Sequence, residues 1–413
     1  MSIRTSVVAL ALILCAAVPA FAQDAAPDPF STARFRFGAV AFSPGITVTN
    51  LGWDTNVFNE WENPKTDFTL TLTPQTDAWL RFGPARVKVH ASIGYVYFAD
   101  YYKERSFNTD DSIRFEVPLI HFRPYAGYSY LYIRDRPGFE VDARVRRTEN
   151  AMLAGLDLPL TRKTTVGGAF RRTKTDYAQS ATFNGNYLRD TFNRTTDVYT
   201  ASARYALTPL TTLLLDTEYV RERFEFSPLR NSEGFRLLPG VEFKPLALIS
   251  GTARVGVRQL NFDSPFVPGY TGPVASVDLG YTLLGTTRFS ARVDRDVAYS
   301  YDDLQPYYIL TGVTGTVTQR LNITWDLQAR VGNQRLAYQR TVSPLGGDSG
   351  TAFAPVLTAG RLDTVLFYGG GVGYRLGTDV RLGFNIDYYK RTSDTTTRQY
   401  QGLRAGSSVT YGF

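Results

Sequence analysis

The chain has 413 residues, with 45 Lys and Arg against 38 Asp and Glu, a formal net charge of +7 and a mean hydropathy of −0.19. One cysteine and two histidines are too few for a disulfide framework or a His/Cys metal centre. The basic excess is spread along the chain with no basic run or helix to carry it, which excludes a nucleic-acid partner.

The N-terminus predicts a secretory signal over residues 1–22. Arg4 precedes an apolar run from Val7 to Val18, and Ala20 and Ala22 flank Phe21 as a cleavage site before Gln23. The run is about a dozen residues, short of the roughly 20 that a spanning helix needs. Cys15 lies within it, so the mature chain holds no thiol. Leu14 and the mid-run position of Cys15 speak against lipidation. Downstream no stretch is long and apolar enough for a membrane helix, which fits a soluble protein and a membrane β-barrel equally.

Residues 23–36 read as a short periplasmic segment, Ala/Pro/Asp-rich from Gln23 to Pro29. From residue 37 to 413 the sequence predicts an all-β, transmembrane antiparallel up-and-down barrel of about 18 strands, or 16. Tight turns are expected at Gly83-Pro84, Phe122–Pro124, Leu160–Lys163, Thr208–Leu210, Lys244–Leu246, Leu284–Thr286, Gln319–Leu321 and Gly377-Thr378. Between them lie longer polar connections near 58–66, 102–109, 136–145, 178–192, 226–233, 263–272, 301–306, 339–359 and 392–399. Short turns at one end and long loops at the other are the asymmetry of periplasmic and extracellular barrel ends.

Alternation is clearest from Leu321 to Val331, where Leu321, Ile323, Trp325, Leu327, Ala329 and Val331 interleave with Asn322, Thr324, Asp326, Gln328 and Arg330. Val380, Leu382, Phe384 and Ile386 alternate with Arg381, Gly383, Asn385 and Asp387 in the same way. A soluble β-sandwich also alternates, but its strands usually run to about 5–6 residues. These run longer, and aromatics make up 14% of the chain, with 26 Tyr and 27 Phe, as interface girdles require. Leu403, Val409, Tyr411 and Phe413 share one face of the last segment. They resemble the C-terminal signal by which outer-membrane barrels are passed to their assembly machinery.

Trp53-Asp54-Thr55-Asn56-Val57-Phe58, followed by Asp67-Phe68-Thr69-Leu70-Thr71-Leu72-Thr73-Pro74, resembles the opening of the outer-membrane β-barrel porins of the BBP2 type. Thr55 stands where that family has a second Asp, and the likeness extends diffusely to hairpins such as Gly280–Val297. The resemblance implies a Gram-negative outer-membrane barrel without enzymatic activity or cofactor. It also implies a conduit associated with exopolysaccharide or capsule export, with an anionic polysaccharide and a periplasmic export component as partners.

Reading the alternation inward places Arg86, Lys88, Arg204, Arg254, Arg258, Arg288, Arg292, Arg330, Arg375 and Arg381 on the lumen face. Asp67, Asp157, Asp216, Glu218, Asp294, Asp326 and Asp387 share it. The arginines either bias the pore toward anions or pair with the acids and brace the wall. Tyr95, Tyr97, Tyr128, Tyr130, Tyr132, Tyr299, Tyr307 and Tyr388 are expected in interface girdles or, if inward, against sugar rings. His90-Ala91-Ser92 is reminiscent of outer-membrane lipid A deacylases but lacks the rest of their pattern. Gly369-Gly370-Gly371 lacks the spacing of a phosphate loop and marks a bend or bulge. Two functions follow: a pore or export conduit, or a surface-binding barrel whose long loops, especially 178–192 and 339–359, engage a partner or close the lumen.

Overall fold

In lipid every backbone N–H and C=O must be paired within the protein, so a β-structure can cross only as a closed barrel. The structure, a computed structural model, describes residues 29–245, 247–341, 360–377 and 379–412. The expected signal peptide with Cys15, the terminal Phe413, the turn residues Leu246 and Thr378 and most of the 339–359 loop lie outside the described residues.

Eighteen strands form the wall. They are β1 Val40–Asp54, β2 Asp67–Phe82, β3 Ala85–Phe98, β4 Ser106–Glu116, β5 Arg123–Asp135 and β6 Val145–Pro159, then β7 Thr164–Tyr177, β8 Arg194–Thr208, β9 Thr211–Phe224, β10 Ser232–Phe243, β11 Ile249–Phe262 and β12 Tyr270–Leu283. The ring is completed by β13 Thr287–Tyr299, β14 Tyr307–Arg320, β15 Trp325–Gln339, β16 Leu362–Leu376, β17 Val380–Ser393 and β18 Tyr400–Tyr411. Each pairs antiparallel with its neighbours, and β1 pairs with both β2 and β18, which closes the ring. A short strand, Phe35–Phe37, folds back on β1 through Val40–Phe42. The closure is tight where β1 shifts register against β18. A Cβ on Gly52 would lie 2.1 Å from the Ala405 carbonyl oxygen, so only glycine fits.

The register sorts side chains by parity. One row runs Lys88, Arg114, Gly127, Leu153, Arg171, Val198 and Val220 across β3 to β9. This face lines the cavities enclosed by the ring. The opposite face carries exposed Val255, Val257, Phe289, Val317, Val331, Leu382, Phe384 and Ile386, the apolar band of a lipid-facing wall. Phe170, Tyr199, Tyr219 and Phe235 form a continuous outward row, with ring centroids 4.9, 6.1 and 4.9 Å apart, one arc of the expected girdle.

Several boundaries differ from the sequence reading. Leu321 and Ile323 belong to a turn, because Asn322 Oδ1 accepts the N–H groups of Thr324 and Trp325 and holds the chain bent before β15. The β5 turn occupies 117–122, leaving Arg123 and Pro124 in the strand. Residues 106–109 are already β4 rather than loop.

At mid-wall, Val331 faces outward. Val331→Arg is expected to lower the folding free energy into bilayers by about 2–4 kcal/mol, the cost of a lipid-facing charge at mid-depth. Arginine at the inward Thr318 should cost well under half of that, as measured by urea titration in lipid vesicles.

Candidate functional site in the mouth and lumen wall

The connection over 136–144, between β5 and β6, turns into the barrel. Arg136 Nε donates to the Asp142 carbonyl oxygen at 2.7 Å, pinching the loop's base. Arg144 anchors it outside the strands, donating to the carbonyls of Glu104 and Arg134 at 2.8 Å each. Burial pushes the Arg144 guanidinium down to about 10.

The tip meets the far side of the ring. Glu140, 1% exposed, accepts from Ser300 Oγ at 2.7 Å and the Tyr301 N–H at 3.0 Å, with Arg361 Nη2 at 3.4 Å. Arg391, fully buried, donates to the Phe139 carbonyl at 2.9 Å, pairs with Asp142 at 3.1 Å, and also pairs closely with Asp363. Arg398 donates to the Glu140 carbonyl and pairs with Asp142 at 3.3 Å. Counting round a closed ring of 18 strands, the ends of β13 and β14 lie eight strands from β5 and β6, so these contacts cross the lumen. Burial pushes the Glu140 carboxyl up, against the pull of the Ser300 hydroxyl, Arg361, the Tyr301 N–H and Arg398.

A second element leans inward to meet the loop. The β12–β13 register ends at Ala275 and Arg295. Beyond it Val297, Tyr299, Tyr307 and Ile309 pack on Leu260, Phe262, Tyr270 and Val274, which belong to the lumen face of β11 and β12. Tyr299 donates to Glu222, within 2.5 Å of Ser232 Oγ. Tyr299 and Tyr307 are therefore mouth residues rather than girdle residues. Tyr95, Tyr97, Tyr128, Tyr130, Tyr132 and Tyr388 do take the outward parity. The 178–193 loop completes the cover: Asn184 bonds the Tyr301 hydroxyl at 2.9 Å, and Val141 joins Tyr177, Phe183, Leu188, Phe192 and Tyr301 in one apolar cluster. Beneath it a cavity of about 390 Å³ is lined by Glu140, Arg147, Glu222, Arg236, Arg258 and Tyr299 among others.

The opening motif turns out to be a loop clamp. Asp54 accepts from Arg404 at 2.7 Å, from the Tyr389 hydroxyl at 2.5 Å and from the Asn56 N–H. Asn56 bonds Glu60 in both directions and donates to the Gln401 carbonyl. Asp67 receives the N–H groups of Ala99, Asp100 and Tyr101, each at 3.1 Å. Asp54 and Asn56 fasten the first long loop across the β1–β18 seam, and Asp67 fastens the second to β2.

On the wall, the register puts all of the lumen residues named from the sequence on the face that lines the cavities. Arg254 pairs with Asp216 at 2.9 Å, Arg258 with Asp296 at 2.6 Å, Arg292 with Asp294 at 2.7 Å and Arg381 with Asp326 at 2.6 Å. Arg330 Nε reaches Asp387 Oδ1 at 2.6 Å. Lys88 lies 3.7 Å from Asp77. Arg86, Arg204 and Arg288 have no carboxylate within 4.0 Å among the described residues. The glycine run has a packing cause: a Cβ on Gly369 would strike Asp387 Oδ1 at 2.0 Å, and one on Gly371 would strike Asn385 Oδ1 at 2.1 Å. His90 contacts Asp77 at 3.2 Å. With Ser92 it faces the lumen, away from the lipid a deacylase would act on.

Sequence reasoning missed Glu140, Arg391 and Arg398 because the contacts that join the loop to the far wall span 160–258 residues and no local period marks them. The one available signal was the charge density of 134–147, which carries five arginines.

Arg391→Ala takes one buried cation from both Asp142 and Asp363, leaving them Arg398 and Arg361 at 3.3 Å each. It is expected to weaken loop seating by about 3–5 kcal/mol, as for a buried pair deprived of one partner. The loop should become cleavable by trypsin at Arg144 in the folded barrel; a variant as resistant as the wild type would contradict the role assigned to Arg391.

A family model described as "Putative beta-barrel porin 2" matches residues 28–413. No curated protein matches. Among solved structures, the chain is similar in fold to the outer membrane protein OpdK of Pseudomonas aeruginosa, at 9% identity and a TM-score of 0.48, covering 90% of this chain and 98% of that one. A BenF-like porin of Pseudomonas fluorescens gives 12% identity, a TM-score of 0.48 and coverage of 90% and 99%. The FrpB iron transporter of Neisseria meningitidis gives 9%, 0.43, 85% and 63%, so the chain spans under two thirds of its length. With a family model spanning nearly the whole described barrel, the chain belongs to this family of outer-membrane β-barrel porins: a multi-pass channel-type barrel of the Gram-negative outer membrane, not an enzyme.

Proposed function

We propose that this protein is a narrow diffusion channel for small hydrophilic solutes, with the parity-selected lumen face lining its aqueous path. The observation that carries the reading is the seating of the 136–144 loop across the mouth on Glu140 and Arg391. A ring of 18 strands would otherwise enclose a wide water-filled lumen. With the loop and the β13–β14 tip joined, solutes must pass beside them. Neutral and singly charged molecules of a few heavy atoms suit such a path.

Export of an anionic polysaccharide with a periplasmic partner, which the family resemblance implies, is compatible with the same barrel only if the loop leaves its seat. A binding barrel without transport would instead keep the mouth shut under all conditions.

Planar-bilayer recording separates these. The wild type should give small ohmic steps, and deletion of 137–142 should raise the single-channel conductance several-fold. If the wild type already conducts as a wide pore, or the deletion leaves conductance unchanged, the narrow-channel reading fails. If only the deletion variant passes polysaccharide, the conduit reading gains at its expense.

A further inference from the structure

The lumen wall is hollowed beside the closure seam. Register stacks three inward rows across β15 to β18 and β1: Arg330, Gly369, Asp387, Arg404 and Asp54; then Gln328, Gly371, Asn385, Gly406 and Gly52; then Asp326, Gly373, Gly383 and Ser408. The lower two rows are poor in large side chains. A cavity of about 280 Å³ opens there, lined by Gln328, Arg330, Arg381, Asn385, Arg404 and Ser408 among others. Small-molecule sites begin at roughly this size, ~300 Å³.

The cations on the rim lie over their acids. The side chains of Asp326 and Asp54 are 1% and 5% exposed, whereas those of Arg381 and Arg404, which cover them, are 26% and 39% exposed. Each of these arginines gives Nε and Nη2 to its acid at 2.6–3.1 Å, and Nη1 forms no hydrogen bond among the described residues. Arg375 shares Asp326 at 3.5 Å, so Arg330, Arg375, Arg381 and Arg404 face only Asp54, Asp326 and Asp387. Three polar atoms then gather over the floor. Ser408 Oγ, Arg381 Nη1 and Asn385 Nδ2 lie 2.7, 3.2 and 3.7 Å from the point where a Cβ on Gly383 would stand. The Ser408 and Asn385 side chains also form no hydrogen bond among the described residues.

We propose that this hollow binds small hydroxycarboxylates, with the carboxylate on Arg381 Nη1 and Ser408 Oγ and the hydroxyl oxygens on Asn385 and Arg404 Nη1. Charge-assisted hydrogen bonds are roughly twice as strong as neutral ones, which favours a carboxylate over an uncharged polyol of the same size. Among the lining residues the one acid, Asp387, is held by Arg330 at 2.6 Å, so the donors dominate. The site deepens the channel reading by naming a solute class and rests on it only for the route by which the solute arrives.

Isothermal titration of the folded, detergent-solubilised barrel at low ionic strength reads the site without any need for current. D-Glycerate should bind, and glycerol, which lacks only the carboxylate, should bind at least tenfold more weakly. Ser408→Leu fills the hollow and leaves every charge in place; Asn385→Leu removes one donor at nearly constant volume. Each should weaken glycerate about tenfold, the scale of a hydrogen bond to a charged group, in barrels whose strand content matches the wild type by circular dichroism. Ser129→Leu, on the lumen face of β5, should leave the affinity unchanged. Absence of glycerate binding by the wild type, equal affinity for glycerol, or wild-type affinity in both S408L and N385L overturns the proposal. So does an equal loss in S129L. A barrel that binds glycerate yet never conducts keeps the site and loses the channel reading; one that conducts without binding glycerate does the opposite.

Discussion

The constraint on which the structure depends is the closure of the backbone hydrogen-bond register between β1 and β18. An open edge in hydrocarbon would leave a row of unpaired N–H and C=O groups, each costing several kcal/mol. Closure fixes more than the ring. Once each strand is locked to two neighbours, a one-residue slip would turn every lumen charge toward lipid, so the parity read at Val220 holds through to Lys88. The seam is where the chain has taken most care. Gly52 lets the backbones approach, and Asp54 ties β1 to Arg404 on β18 while holding Asn56 at the start of the first loop.

That parity explains how a wall can carry so many charges. An arginine on the lumen face keeps contact with water, and a carboxylate across one or two strands holds its side chain in place. Such pairs are partly solvated, and the median exposed pair contributes about 0–1 kcal/mol. Their chief effect is to order the surface of the lumen. The Arg330–Asp387 pair shows the coupling to backbone: it occupies space that any side chain at 369 would fill, so the glycine and the ion pair require each other.

How much could be read from the letters follows from the range of each interaction. Strand number and facing were legible because period-two alternation is local. The pattern misled only at Leu321 and Ile323, where apolar residues alternate inside an Asn322-capped turn whose hydrogen bonds leave no periodic trace. The opening motif was legible as a family mark but not as a clamp, since the partners of Asp54 and Asn56 lie more than 330 residues on, in β17 and β18. Tyr299 and Tyr307 were indistinguishable from girdle tyrosines in sequence. What separates them is the departure of β13 from β12 above Arg295, a tertiary bend that composition does not encode. The Glu140 hub escaped for the same reason, because its contacts join connections that lie 160 residues and more apart in the chain.

The hub also constrains how the mouth can behave. Taking Glu140, Asp363 and Arg391 out of water carries a large desolvation cost, which is recovered only when their partners are in place together. Arg391 serves Phe139, Asp142 and Asp363, and Arg398 and Arg361 share the two acids at 3.3 Å each, so the buried charges form one connected network. Partial release of the loop is therefore unfavourable, and two discrete arrangements, seated or free, are favoured over a graded one. The seat is not perfectly satisfied: Nε of Arg391 and Arg398 and Oδ1 of Asp363 make no hydrogen bond among the described residues. Incompletely paired buried groups lower the stability of the seated state relative to a fully bonded plug. A plug bonded at every polar atom would be a permanent wall, whereas this one combines cooperative seating with a reduced margin, the combination a mouth needs if it is to open as a unit.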